Sequence, residues 1–202
     1  MDSNKPLRTP PLWQQAWHLL GQATEAGNGG FTTAVVATVD PDNHQPRSRT
    51  VVLRDVAEEP SELTFYSDLR ATKVAHLLRG SEVSFTFWDG DRSLQFCGGG
   101  PARLAASAVH DRIFVNLPKH GRRAYATRSA PGATIEAAGT DLPSDWESRA
   151  LPATDYARAN FAVVIVKLRW AEVLHLDREG NTRLAAERPG GRNEWSFRYV
   201  AP

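Results

Sequence analysis

A cluster of basic and hydroxyl side chains in the first half of the chain has the chemistry of a phosphate site. Arg47, Arg49 and Arg54 occur in one segment rich in β-branched residues, and residues 66–73 supply hydroxyls, amides and two more cations. A helix is predicted to begin within residues 66–73, and its first turn adds free N–H groups and the positive end of the helix dipole. These groups together are what a phosphate monoester requires.

The same charges also permit an interpretation without a ligand, in which the cations are solvated or form ion pairs. Four acidic residues of the same stretch could provide the partners: Asp55, Glu58, Glu62 and Asp68. Residue types alone leave the two interpretations open. Geometry adds a condition, because Arg49 and Arg54 are five residues apart and would face opposite sides of a regular strand. One ligand reaches both only at a β-bulge or through backbone contacts.

Other chemistries are disfavoured by residue spacing. The six histidines include no His-x-x-x-His pair and Cys97 is the only cysteine, so no metal site is expected. Residues 98–100 are three glycines, but neither Lys-Ser/Thr nor a helix follows them, which excludes a P-loop. Within a strand such glycines mark a bulge or a close approach of another backbone or a planar ligand, and the bulge is the expectation.

The elements that must position these residues are mostly strands. β-Branched and aromatic residues between turn signals predict strands at 31–40, 47–56, 62–67, 82–89, 92–105, 160–170, 172–176, 182–187 and 194–200. Helical spacing predicts helices at 11–26, 70–79, 109–117 and 144–150. Successive strands should pair antiparallel, the strand near 161–166 should lie inside the sheet, and a loop at 189–191 should close the last hairpin. This order predicts a mainly β barrel with peripheral helices.

Length and charge limit the classes of protein further. The 202 residues favour a single domain, with an N-terminal helix in 1–30, a helical and loop insertion at 106–158 and C-terminal strands at 160–202. The 24 Lys and Arg nearly balance the 23 Asp and Glu, so neither nucleic acid nor membrane is expected as a partner. An oligonucleotide-binding barrel that stacks bases on its aromatic residues is therefore a disfavoured alternative. The single cysteine and the polar start favour a cytoplasmic protein.

Several short segments, in this order and spacing, resemble one known family. They are Arg49-Thr-Val-Val-Leu-Arg54, Phe65-Tyr66-Ser67 followed by Lys73, Phe87-Trp88, Leu94-Gln95-Phe96, Trp195 and Val200-Ala201-Pro202. From about residue 31 to residue 202 the chain resembles the pyridoxamine 5′-phosphate oxidase-like FMN-binding split-barrel superfamily. The resemblance implies a mainly β, antiparallel Greek-key split β-barrel that forms a homodimer and holds FMN at the subunit interface.

The resemblance also implies a set of site residues. The cofactor-binding residues would be Arg49, Thr50, Val51, Val52, Leu53, Arg54, Tyr66, Ser67, Thr72, Lys73, Gln95, Arg128 and Ser129. The arginines that end the first segment would point toward the phosphate, which Thr72 and Lys73 would hold, while Gln95 would point at the flavin ring. The Arg128-Ser129 pair would come from the partner subunit. Arg183 would bind the substrate, and no catalytic residue is assigned.

Three departures from the family bear on function. Thr72 stands where the family has an arginine, and Arg70 or Arg54 could compensate. Ala185 replaces the histidine that engages the substrate, and Leu176 replaces a tryptophan that faces the flavin. The sequence therefore predicts an FMN-dependent oxidoreductase for a small molecule, an amine or an electron-poor compound, which need not be pyridoxamine phosphate. A flavin carrier or sensor without turnover is the alternative.

Overall fold

The computed structural model describes residues 9–80, 82–188 and 194–202. The strands are β1 (Thr33–Val39), β2 (Pro46–Ala57), β3 (Glu62–Asp68), β4 (Val83–Asp89), β5 (Leu94–Gly100), β6 (Ala102–Leu104), β7 (Phe161–Lys167), β8 (Trp170–His175), β9 (Thr182–Glu187) and β10 (Ser196–Val200). The helices are α1 (Pro11–Ala26), α2 (Thr72–Leu78), α3 (Ser107–Val115) and α4 (Lys119–Arg122). The strands form one curled antiparallel sheet in the order β10-β9-β8-β5-β4-β1-β2-β3-β7-β6, which confirms the mainly β, antiparallel prediction.

The first helix has the predicted bounds, and its sequence explains why. A proline occupies its first turn, and Gly27 ends it in the left-handed conformation with φ of 65°. The apolar stripe buries Trp13, Trp17 and Leu20 in the barrel core. In that core the rings of Trp13 and Trp195 lie 4.9 Å apart, so α1 also packs on the end of the chain.

The predicted antiparallel pairing of successive strands is confirmed for β1 with β2, β2 with β3 and β4 with β5. It is wrong for β3 with β4 and for β7 with β8, because β3 pairs with β7, β4 with β1 and β8 with β5. The apolar strand β7 lies between β3 and β6, as its composition predicted. The β2–β3 register shifts between Leu53 and Asp55, so Arg54 is the extra residue of a β-bulge. A bulge was one of the two conditions under which a single ligand could reach both Arg49 and Arg54, and it is present.

The glycines at 98–100 correct one prediction. All three continue β5 in unbroken register with β4, Gly98 and Gly99 also pair with β8, and no bulge occurs there. A Cβ atom on Gly98 would lie 2.8 Å from the Trp170 carbonyl oxygen, and one on Gly99 would lie 2.5 Å from the Val83 carbonyl oxygen. Close approach of neighbouring backbones, the other interpretation of these glycines, accounts for them.

Two predicted elements differ from those observed, and a third cannot be compared. The single strand predicted at 92–105 divides at Pro101 into β5 and β6, because β6 leaves β5 and pairs with β7. The helix predicted at 144–150 is only the 3₁₀ turn Trp146–Ser148, and Leu151–Asn160 forms 3₁₀ structure that the pattern did not indicate. The loop predicted at 189–191 lies outside the described residues.

Residues 107–160 build a second apolar cluster on the face of β3 and β7 opposite the barrel core, with Phe114, Tyr125 and Phe161 among its members. Arg122 lies buried inside it and donates to the carbonyl oxygens of nearby turns and to Asp155. The insertion is thus fixed against the sheet. Among the described residues, no helix is both long and apolar enough to cross a membrane.

Candidate functional site

Arg49 and Lys73 come together where α2 packs against β1. The Arg49 side chain follows the inward face of β2, opposite Val36, and its Nη1 donates to Thr38 Oγ1 at 2.8 Å. Thr38 Oγ1 also lies 3.1 Å from Nδ1 of His76, a buried residue of α2. Lys73 is in the first turn of the same helix. The strand pair and the helix therefore hold two cations side by side.

The electrostatics of this pair favour an anion. Burial lowers the pKa of Lys73, the positive charge of Arg49 lowers it further, and the Asp68 carboxylate partly opposes both. Burial also lowers the pKa of Arg49, and Arg47 adds to that shift. No salt bridge to either Arg49 or Lys73 occurs within the described residues. A bound anion would remove the repulsion that the fold itself leaves in place.

The other two arginines near this site have their own partners. Arg70 forms a bidentate ion pair with Asp68, with Nη2 to Oδ2 at 2.7 Å and Nε to Oδ1 at 3.0 Å. The interpretation without a ligand is therefore correct for Arg70. At the bulge, Arg54 stacks over the Tyr66 ring at 5.3 Å. Among the described contacts, none joins Arg54 to Arg49 or Lys73, although the bulge is present.

The remaining β2 residues divide between the two faces of the sheet. Val51 and Leu53 face the barrel core, so a ligand could meet them only through their backbone atoms. Thr50 and Val52 pair with Val35 and Thr33 and face the opposite, exposed side of the sheet. The predicted run from Arg49 to Arg54 is thus present as a strand, but only alternate side chains share a face.

Gln95 lies on that exposed face, in register with Trp88 on β4 and Leu174 on β8. Its Nε2 is 3.8 Å from Cys97 Sγ, and burial raises the pKa of that thiol. One strand further on, Arg183 donates to Glu172 at 2.6 Å. The residue predicted to bind substrate therefore already has a carboxylate partner.

The Arg128-Ser129 pair lies beside residues 67–70 of its own subunit, because Arg70 binds the carbonyl oxygens of Thr127 and Arg128. The Arg128 side chain is exposed. Close by, burial raises the pKa of Tyr66, and burial raises the pKa of Tyr125 to about 12. These contacts put the pair next to residues 66–73 of the same chain, whereas the resemblance implied a pair donated by the partner.

Sequence reasoning missed several residues that shape the site. Thr38 and His76 connect β1 to α2 beside the cations, and Glu172 neutralises Arg183. Of these residues, only Glu172 could have been predicted from the sequence. A hairpin with its turn at 177–181 brings Glu172 diagonally opposite Arg183. Thr38 gave no signal, since its contact depends on how α2 folds back on β1.

Two solved structures have the same fold as this chain. The structure aligns with a pyridoxamine 5′-phosphate oxidase-related, FMN-binding protein from Nostoc punctiforme, with a TM-score of 0.72, 20% identity and coverage of 96% of this chain and 98% of that chain. It aligns equally with PhzG from Burkholderia lata, solved in complex with tetrahydrophenazine-1-carboxylic acid, with a TM-score of 0.72, 14% identity and coverage of 96% and 94%. This chain has their split-barrel fold.

The sequence match is more specific than the fold. Residues 11–106 match the family model described as pyridoxamine 5′-phosphate oxidase, FMN-binding domain. The predicted resemblance is thereby confirmed for this part of the chain, which contains α1, the first six strands and both Arg49 and Lys73. No curated protein matches the sequence.

The lowered pKa of Lys73 is directly measurable. In protein containing lysine labelled with ¹³C at Cε, we expect the Lys73 resonance to titrate below the usual value of 10.5. Arg49→Gln should raise that midpoint because it removes the neighbouring like charge, and Arg103→Gln, at an exposed ion pair, should leave it unchanged. Loss of the signal in Lys73→Arg assigns it. A wild-type midpoint at or above 10.5 would contradict the described electrostatics.

Proposed function

We propose that the protein is a homodimeric FMN-binding oxidoreductase that acts on a small molecule. One observation carries the proposal: Arg49 and Lys73 are adjacent, partly buried cations that form no ion pair with a carboxylate of the described residues, and both lie within the residues that match an FMN-binding family. Their chemistry fits a phosphate monoester. FMN has such a group at one end, and its flavin ring supplies hydride and electron transfer when the cofactor is bound.

The chain offers groups for both ends of the cofactor. Arg49 and Lys73, with the exposed hydroxyl of Thr72 beside them, would bind the phosphate oxygens. Tyr66 and Ser67, at the end of β3, continue the same segment. Apart from Arg49, β2 would offer the ligand its backbone and its outward side chains, since Val51 and Leu53 are in the core. Gln95 would donate to a carbonyl oxygen or accept from an N–H group of the ring.

The faces of the sheet favour a dimer. Arg49 is on the inward face of β2, whereas Gln95 is on the outward face of β5, together with Trp88 and Thr50. Because the sheet separates these two faces, one cofactor would meet Arg49 of one subunit and Gln95 of the other. The outward face also exposes large apolar residues on adjacent strands: Val35 at 50%, Val39 at 43%, Val52 at 37%, Trp88 at 46% and Trp170 at 37%. Apolar patches of this kind mark interaction surfaces.

A charge placed in this face tests the dimer. We expect the wild type to have twice the 22.3 kDa protomer mass in sedimentation velocity. Val35→Arg should shift the protein to the protomer mass, because a guanidinium would have to lose its water at the interface. Val115→Arg, at an equally exposed valine of α3 on another surface, should remain dimeric. A monomeric wild type, or a dimer unaffected by Val35→Arg, would contradict the proposed interface.

Flavin binding is tested by absorbance and affinity. The wild type should retain FMN after incubation and dialysis, and should bind FMN more tightly than riboflavin, which lacks the phosphate. Lys73→Ala should weaken FMN binding roughly ten- to a hundredfold, since a charge-assisted hydrogen bond contributes about 1.5–3 kcal/mol. Riboflavin binding should not change.

Lys167→Ala is the matched control for that substitution, because Lys167 is exposed at the end of β7. Its affinity for FMN should equal that of the wild type. A wild type that shows no flavin absorbance after added FMN overturns the proposed function. Equal FMN affinity in Lys73→Ala and the wild type overturns the assigned phosphate site.

The substrate side of the site differs from that of a pyridoxamine phosphate oxidase. Ala185 is 4% exposed and offers no polar group where the family has a histidine, and Arg183 is paired with Glu172. We infer a small substrate recognised mainly by shape and by hydrogen bonds, not by a free cation. The alternative, a flavin carrier without turnover, has the same phosphate site and differs only in chemistry.

Turnover separates the enzyme from the carrier. FMN-loaded protein is reduced anaerobically and then exposed to oxygen, and the oxidised protein is mixed anaerobically with candidate amines and with a nicotinamide donor. An oxidoreductase should bleach the flavin absorbance with at least one reductant and recover it with oxygen or with an electron-poor acceptor. Flavin that stays oxidised with every amine and nicotinamide supports the carrier and contradicts the enzyme.

A further inference from the structure

Arg70 connects two distant parts of one subunit. Its Nη2 donates to Asp68 Oδ2 at 2.7 Å and to Thr127 Oγ1 at 3.1 Å. Its Nη1 donates to the carbonyl oxygens of Thr127 at 3.1 Å and Arg128 at 3.2 Å. The Asp68 side chain is only 4% exposed and that of Arg70 is 26% exposed, so the carboxylate of the pair is shielded from water while the guanidinium is partly exposed. These contacts join the end of β3 to the insertion that follows β6.

The guanidinium of Arg70 has no donor left for a ligand. A guanidinium carries five N–H donors, and here Nε donates to Asp68 Oδ1 while Nη1 and Nη2 each make two hydrogen bonds. Arg70 therefore does not replace, by direct contact, the guanidinium that the family has at position 72. Its effect on a bound phosphate would be exerted through the residues that it holds.

Those residues form an irregular segment held by side chains. Each carbonyl oxygen from residue 125 to residue 129 accepts a side-chain hydrogen bond, from Asn160, Tyr156, Arg70, Arg70 and Thr127 in that order. On the other side, Asp141 accepts from the backbone N–H of Ser129 at 2.8 Å. Arg70 supplies two of these five hydrogen bonds, and of the four donor residues it is the one that lies within residues 66–73.

We propose that the Asp68–Arg70 pair is a positioning clasp, which fixes residues 127–129 against residues 66–73 of the same subunit. FMN binding then depends on Arg70 because Arg70 places Arg128 and Ser129 beside the phosphate-binding residues. This inference rests on the proposed FMN function. A lysine cannot take over the role, because one ammonium group cannot bind Asp68 in bidentate fashion and reach two carbonyl oxygens as well.

Hydrogen exchange tests the clasp without any cofactor. In the flavin-free protein, Arg70→Gln and Arg70→Lys should both speed amide exchange at residues 126–129, because the segment loses two of its anchors. Arg79→Gln is the matched control, since Arg79 forms an exposed ion pair with Asp42 just after α2. Arg70→Lys keeps the positive charge, so faster exchange in both variants is due to the lost guanidinium contacts and not to the lost charge. Unchanged exchange in both Arg70 variants overturns the proposal.

A mutant cycle then distinguishes positioning from direct contact. Arg70→Gln should raise the Kd for FMN about fivefold or more, measured by quenching of flavin fluorescence, while Arg79→Gln should not. In a background that carries Arg128→Ala and Ser129→Ala, the same Arg70 substitution should change the Kd less than about twofold, because the residues it positions are already gone.

The possible failures are distinguishable. An Arg70 effect that persists in full in the Arg128→Ala, Ser129→Ala background means direct contact with the phosphate and overturns the positioning role. An FMN affinity that does not respond to Arg70→Gln also overturns it. If the wild type binds no FMN, the proposed function fails, and with it the dependence of FMN on Arg70, while the exchange measurement still decides whether the clasp holds residues 127–129.

Discussion

The pairing of β3 with β7 is the interaction on which the rest of the structure depends. The two strands pair without interruption from Glu62 opposite Lys167 to Asp68 opposite Phe161. One face of this pair covers the barrel core and the other covers the cluster built by residues 107–160. Because both faces are covered and the backbone groups are paired, the end of β3 has little freedom. β3 ends with Ser67 and Asp68, and only residues 69–71 separate it from α2, so the candidate phosphate site is built on a rigid element.

Among the described residues, carboxylates pair with several partly or fully buried arginines but not with the cations of the site. Arg70 has Asp68 and Arg122 has Asp155, which is what partly buried guanidinium groups require. Within the part of the chain that the structure describes, the hydrogen-bond partners of Arg49 are neutral: the hydroxyl of Thr38 and a backbone carbonyl. A desolvated charge beside a like charge costs stability unless something offsets it. The uneven distribution is therefore better explained by an anionic ligand than by folding alone.

How much the sequence predicted depends on whether the signal was local. The bounds of α1 follow from its apolar spacing and Gly27, and the β1–β2 and β4–β5 hairpins follow from their turns. The division of β5 from β6 at Pro101 is not local, because it depends on β7, some 60 residues later in the chain. For the site, proximity in sequence predicted that Arg49 and Lys73 meet. It could not predict the contacts of Arg70 with Thr127, which join segments 57 residues apart.

The two ends of the candidate site differ in their electrostatics, and the difference bears on what the site can select. At the proposed phosphate end, Arg49 and Lys73 form no ion pair within the described residues, and the nearby Asp68 carboxylate offsets the charge of Lys73 only in part. At the far end, the Arg183 guanidinium lies 2.6 Å from the Glu172 carboxylate. A guanidinium paired in this way attracts a second anion weakly, because each charge is largely cancelled at the distance of a small molecule. The pair instead offers a donor and an acceptor side by side, with the buried methyl group of Ala185 adjacent. Departure from the family at the proposed substrate end is therefore compatible with retention of Arg49 and Lys73 at the proposed phosphate end.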